Sequence, residues 1–213
     1  MVDEDNSCLE LPSLSGKNKK LVVMLHGVGS DGGDLISLAP FINSDFPDYY
    51  FFSPNGIESY DMAPFGYQWF SLKDRTPDVI IQQAKRNAPK IEKIISKKQK
   101  QLNLSNKDTI LFGFSQGAMI SSYLALSQKE PYHAMIGFAG RLIIGNEEEI
   151  NKNTPICLVH GECDEIVPHS FSKDFQKYCI DNSIKCELKL IPNLEHSIDH
   201  AGIEFAKNFL KNL

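Results

Sequence analysis

The chain has 213 residues, with 22 Lys and Arg against 27 Asp and Glu and a formal net charge of −5. Hydrophobic residues make up 42 % and charged residues 23 %, the balance of a globular chain with a sizeable core. The acidic surplus speaks against a general nucleic-acid binder, which would need a basic face, and no apolar run approaches the ~18 residues needed to span a bilayer.

The N-terminal "MVDEDNSCLELP" is acidic and lacks an apolar centre, so it does not read as a secretory signal. Residues 1–18 are expected to be flexible or to form an edge strand. "KLVVMLHG" is a first buried strand. The "HGVGSDGGDL" that follows is glycine-rich but is no phosphate loop, because G-x-x-x-x-G-K-[ST] is missing. Gly27, Gly29, Gly32 and Gly33 would instead let the backbone aim an N–H at a reacting group. "SLAPFI" is read as a short helix and "YYFFSP" as a second strand, ended by Pro54. The long pattern from 77 to 102 sets Ile80, Ala84, Ala88, Ile91 and Ile95 near one helical face. Pro89, which has no N–H, predicts a kink or split there. Lys97, Lys98 and Lys100 are the solvated end of that helix rather than a basic patch.

"ILFGFSQGAMISSYLAL" carries the chemistry. A strand-like run meets G-x-S-x-G at Gly113-Phe114-Ser115-Gln116-Gly117, and a helical pattern begins at once, with Ala118, Met119, Ser122, Ala125 and Leu126 on one face. Strand, serine between glycines, then helix is the context of a nucleophile elbow. The pentapeptide alone also fits an ordinary turn, so its surroundings decide. Further on, "HAMIGFAG", "PICLVHG" and "CELKLI" are strands, while "HSFSKDFQKYCID" and "AGIEFAKNFLKNL" are helices. Apolar strands separated by helices predict a parallel sheet of about six to seven strands covered on both faces. No repeat or linker divides the chain, so 1–213 is read as a single α/β domain.

In such sheets reactive groups gather at the carboxyl ends of the strands. A serine there needs a base, and the base needs a carboxylate, in the order Ser, Asp or Glu, His. "VHGECDEIVPH" offers Glu162, Asp164 and Glu165, and Asp164 is favoured. For the base, His196 in "IPNLEHSID" leaves the last strand in a loop that can reach Ser115. His169 opens a helix too close to the acid and reads as a surface or capping residue; His200 starts the last helix and reads as structural. The oxyanion of a tetrahedral intermediate would be met by the N–H of Gln116 and by one from the glycine-rich loop. The five cysteines, Cys8, Cys157, Cys163, Cys179 and Cys186, are odd in number and show no C-x-x-C pair. No disulfide framework or zinc site is expected. A cytoplasmic compartment fits, and Cys163 reads as a bystander thiol.

Together, "HGVGSDGGDL", "GYQWFSL", "GFSQGAM", "FAGRL", "HGECDEIVP" and "EHSI" give the chain a resemblance to the phospholipase/carboxylesterase group of α/β-hydrolases, which includes the acyl-protein thioesterases. The resemblance runs from about Leu21 to Leu210. It implies an α/β-hydrolase fold without a large cap, Ser115 as nucleophile, Asp164 as acid, His196 as base, and oxyanion donors at Val28 and Gln116. It also implies Trp69 on the substrate side, although the only Trp of the chain could equally fill core. The chain departs from the group at Arg141 in "FAGRL" and at Glu195 before His196, which bears on substrate preference. The expected activity is cleavage of small acyl esters or thioesters with no metal and no cofactor. A long-chain thioesterase or lysophospholipase is the alternative, a non-catalytic binding fold a remote one, and a homodimer is left open.

Overall fold

The computed structural model describes residues 8–145 and 149–213. Its seven-stranded sheet has the order β1-β3-β2-β6-β7-β8-β9. The strands are β1 (Leu9–Leu11), β2 (Lys20–Leu25), β3 (Tyr49–Ser53), β6 (Thr109–Phe114), β7 (Ala134–Phe138), β8 (Ile156–Gly161) and β9 (Cys186–Ile191). All neighbours are parallel except β1, which runs antiparallel to β3 with Leu9 opposite Ser53. The N-terminal segment therefore supplies an edge strand; residues 1–7 of it lie outside the described residues. Glu10 of β1 is held by Lys98 at 2.5 Å and by the Tyr50 hydroxyl.

Helices cover both faces. On one side α3 (Pro77–Leu102), α4 (Gln116–Ser127) and α5 (Ser170–Asp181) close a core that includes Ile80, Ile91, Leu111, Leu124 and Phe175. On the other, α1 (Gly32–Ile36), α2 (Ala39–Asn43) and α6 (His200–Lys211) close a second core around Phe51, Phe112, Ile136 and Phe209. This is the arrangement that all-apolar parallel strands demand, since neither face can meet water.

Three local expectations change. The segment "SLAPFI" falls across two short helices, because Pro40 suits a first helical turn and starts α2 anew. The helix α3 does not split at Pro89. The proline is on its exposed side, while Ala84, Ala88, Ile91 and Ile95 are buried in a continuous stripe. The helix α4 has no polar face, and every residue from Gln116 to Leu126 is buried, because it lies between the sheet and α3. A small antiparallel hairpin, β4 (Glu58–Ser59) with β5 (Tyr67–Gln68), had no clear sequence signature and stands beside the loop after β2.

Candidate active site

Because β2, β6, β8 and β9 are parallel, the loops after them share one rim. The sharpest is the β6–α4 corner. Ser115 has φ 52° and ψ −115°, a conformation that costs a residue with a Cβ about 1–3 kcal/mol. The corner closes only because its flanks are glycine. A Cβ on Gly117 would lie 1.7 Å from the Leu25 carbonyl oxygen, and one on Gly113 would lie 2.5 Å from the Gly117 carbonyl. The strain turns Ser115 Oγ away from the sheet and toward His196.

His196 Nε2 lies 3.0 Å from Ser115 Oγ, and His196 Nδ1 lies 2.7 Å from Asp164 Oδ2. A carboxylate can only accept, so Nδ1 carries the proton and Nε2 offers its lone pair to the serine hydroxyl. The Phe114 ring, 5.0 Å from the His196 ring, packs beside it. Asp164 is 6 % exposed. Burial pushes its carboxyl pKa up, but the Val167 N–H and His196 outweigh this and hold it below the usual range. Its other oxygen, Oδ1, accepts from Ile166 N at 2.9 Å and Val167 N at 2.8 Å.

Gln116 follows the serine in sequence, and Gly27, the residue before Val28, lies against it in space. A Cβ on Gly27 would touch Ser115 Cβ at 3.5 Å, so the Gly27–Val28 peptide lies against the nucleophile. Among the described residues neither the Val28 N–H nor the Gln116 N–H donates to a protein acceptor. The loop is braced by Gly29 N to Tyr67 O and Tyr67 N to Ser30 O, both 2.8 Å.

Several side-chain contacts that the sequence did not reveal hold this geometry. His26 is fully buried; its Nε2 accepts from Gly56 N at 2.8 Å, so Nδ1 must donate to Gly27 O at 2.7 Å. In a trans peptide this turns the Val28 N–H the opposite way. Burial lowers the His26 pKa and keeps the ring neutral. His160, at the end of β8, places Nε2 3.0 Å from Asp164 Oδ2 and 2.7 Å from Val167 O, while Nδ1 lies 2.7 Å from Ser172 Oγ. The acid is thus held by two rings. The Gln116 side chain accepts from Trp69 N at 2.9 Å and donates to Phe70 O at 2.6 Å. Two His-Gly pairs at strand ends, 26–27 and 160–161, were the available signal.

Trp69 requires a correction. It is 0 % exposed and donates Nε1 to His26 O at 2.8 Å, so it fills core beneath the loop rather than facing substrate. A ring this large gains more by burial with its N–H satisfied than at an open rim. His169 occupies the position before α5 and His200 is exposed at the start of α6; neither approaches Ser115 by a hydrogen bond. Cys163 is an exposed, free thiol. Glu195 is exposed too. Among the described residues no group of His, Cys, Asp and Glu has the makings of a metal centre, and no helix is long and apolar enough to cross a membrane.

A mostly parallel sheet between two helical layers, with a strained serine corner and no large cap, defines an α/β-hydrolase. The chain belongs to the phospholipase/carboxylesterase family, whose profile matches residues 6–213, and it is a hydrolase of the carboxylesterase and thioesterase type. The crystal structure of esterase PE8 is similar at a TM-score of 0.91 and 37 % identity, covering 97 % of this chain and 98 % of that one. "Esterase YpfH" of Escherichia coli is 29 % identical over 91 % of this chain and 82 % of its own length. "Acyl-protein thioesterase 1" of Emericella nidulans is 26 % identical over 94 % of this chain and 92 % of its own.

Proposed function

We propose that the protein cleaves carboxylic esters through an acyl-enzyme on Ser115, with His196 as general base and Asp164 as its orienting acid. The observation that carries this is the position of His196, which reaches Ser115 Oγ through one ring nitrogen and Asp164 through the other. In the first half-reaction Ser115 Oγ attacks the acyl carbon while Nε2 takes its proton. The oxyanion that forms is met by the Val28 and Gln116 N–H groups, and loss of one such donor lowers turnover by ~10²–10³. The imidazolium, stabilised by Asp164, protonates the departing alcohol or thiol. His196 then deprotonates a water that attacks the acyl-enzyme and releases the acid. The cycle needs no metal and no cofactor.

Ser115→Ala should abolish turnover of a 4-nitrophenyl ester while circular dichroism shows the fold retained; retained turnover would contradict the assignment.

A second reading is hydrolysis of long-chain acyl thioesters. It is supported by Met62 and Phe65, exposed on the β4–β5 loop beside the braced oxyanion loop, and by relatives named acyl-protein thioesterase. Matched oxyesters and thioesters of rising chain length separate the two. A kcat/KM peak at short chains favours a simple carboxylesterase; a rise with length, steeper for thioesters, favours the second reading. A non-catalytic binding fold would show no turnover above the Ser115→Ala blank.

A further inference from the structure

Arg141 follows the end of β7 and departs from the resemblance discussed above. Its backbone is tied to the catalytic groups on each side. A Cβ on the preceding Gly140 would lie 3.4 Å from Ser115 O and 2.5 Å from Ala118 Cβ, so the segment rests on the serine corner. Gly140 O also lies 3.4 Å from Ser172 Oγ, the hydroxyl that meets His160. The Arg141 guanidinium stands over the Phe171 ring at 5.6 Å, and Phe171 follows directly on the loop that carries Asp164. Arg75 is near enough for its charge to act on Arg141; burial first, and then that charge, lower the Arg141 pKa. Arg75 belongs to the segment that continues from Phe70, whose carbonyl Gln116 holds. Three neighbours of Arg141 therefore belong to segments attached to Ser115, Asp164 and Gln116, which places it on the rim of the site.

Among the described residues no carboxylate pairs with Arg141 or Arg75. Asp74 is next to Arg75 in sequence, but its carboxylate accepts from Thr76 N at 2.8 Å. Arg141 is half-buried and Arg75 is exposed beside it, and like charges near each other repel. The chain carries 27 Asp and Glu against 22 Lys and Arg, yet none of the described carboxylates pairs with either arginine. Stacking on Phe171 fixes the guanidinium without neutralising it and leaves its N–H edge for a partner.

We propose that Arg141, assisted by Arg75, is a specificity-determining residue that selects ester or thioester substrates carrying an anionic group, a carboxylate or a phosphate, beside the scissile acyl bond. The assignment rests on the Ser115 hydrolase reading. A guanidinium–anion contact at a partly buried site is worth about tenfold or more in selectivity.

The test reads ratios of kcat/KM, at fixed pH and with Ser115→Ala as blank. One arm puts the charge on the acyl chain: the 4-nitrophenyl half-ester of adipic acid against its neutral methylamide. The other puts it on the alcohol: butyryl glycerol phosphate against butyryl glycerol. The wild type should favour the charged member by about tenfold in at least one arm. That ratio should fall toward one in Arg141→Gln, be partly kept in Arg141→Lys, and fall less in Arg75→Gln. The arm that responds tells which side of the substrate bears the anion. Added salt should shrink the wild-type ratio, a result that needs no variant to fold. Charged and neutral esters turned over alike by the wild type would overturn the assignment, as would a ratio that Arg141→Gln leaves unchanged, whatever its response to salt. Turnover of no ester above the blank would instead bring down the hydrolase reading, and this assignment with it.

Discussion

Ser115 sits at positive φ, where side chains with a Cβ are rare, and the surrounding backbone tolerates it through two glycines with no room for a methyl group. This much was legible in G-x-S-x-G and its strand-then-helix context. So were Asp164 and His196 as candidates, because chain order and strand ends restrict the choice. The side chains that hold them were not, because His26, His160 and Gln116 act through contacts between residues distant in sequence. Trp69 was misplaced for the same reason: a motif gives its neighbourhood but not which way the ring turns. His160 deserves a test as a positioning residue. His160→Ala should lower kcat per titratable site by about tenfold or more, as a slightly misplaced acid does, with KM little changed. His160→Gln, which can still donate to Asp164 and Val167 O, should recover part. A loss confined to the number of active molecules, with kcat per site unchanged, would mean a purely structural role. Burial lowers the His160 pKa, so the ring enters this network neutral.

At the scale of elements, the strands were legible as short unbroken apolar runs, because both faces of the sheet are covered, and the α3 stripe from its helical period, because one face packs against a partner. The reading was weaker for a helix with no solvent face and for strands too short to show a pattern. The helix α4 shows no amphipathic stripe because sheet and α3 enclose it, and the β4–β5 hairpin pairs only two residues per strand. Burial on all sides makes α4 intolerant of cavities. Leu124, 0 % exposed, is the place to measure this: Leu124→Ala should lower unfolding free energy by about 2–5 kcal/mol, read from a urea midpoint at unchanged slope. A loss well under 1 kcal/mol would mean that α4 is less tightly enclosed than described. The element also links stability to chemistry, because the first turn of α4 carries the Gln116 N–H and follows directly on Ser115.

For the whole molecule, the buried neutral histidines set a pH limit. His26 and His160 have pKa values lowered from 6.5, chiefly by burial. The unfolded chain therefore binds protons more readily than the fold. Their contribution to stability is complete above about pH 6.5, the unfolded value, and is lost as pH falls through and below it. The lowered Asp164 pKa acts in the same sense at lower pH, with stability present above the ordinary carboxylate range and lost below it. Melting temperature should thus decline from pH 7 to pH 5, and less steeply in His160→Gln; a flat profile for the wild type would contradict the buried neutral rings. The sheet, its two helical layers and the rim on which the loops meet give these residues their common address, and the chemistry proposed at that address reduces to one oxygen. The decisive measurement is intact-protein and peptide mass spectrometry after exposure to a fluorophosphonate. One adduct per chain, on the peptide holding Ser115, with activity lost in proportion and no adduct in Ser115→Ala, is the expected result. Labelling elsewhere, or full turnover after Ser115 is blocked, would show that this serine is not the nucleophile.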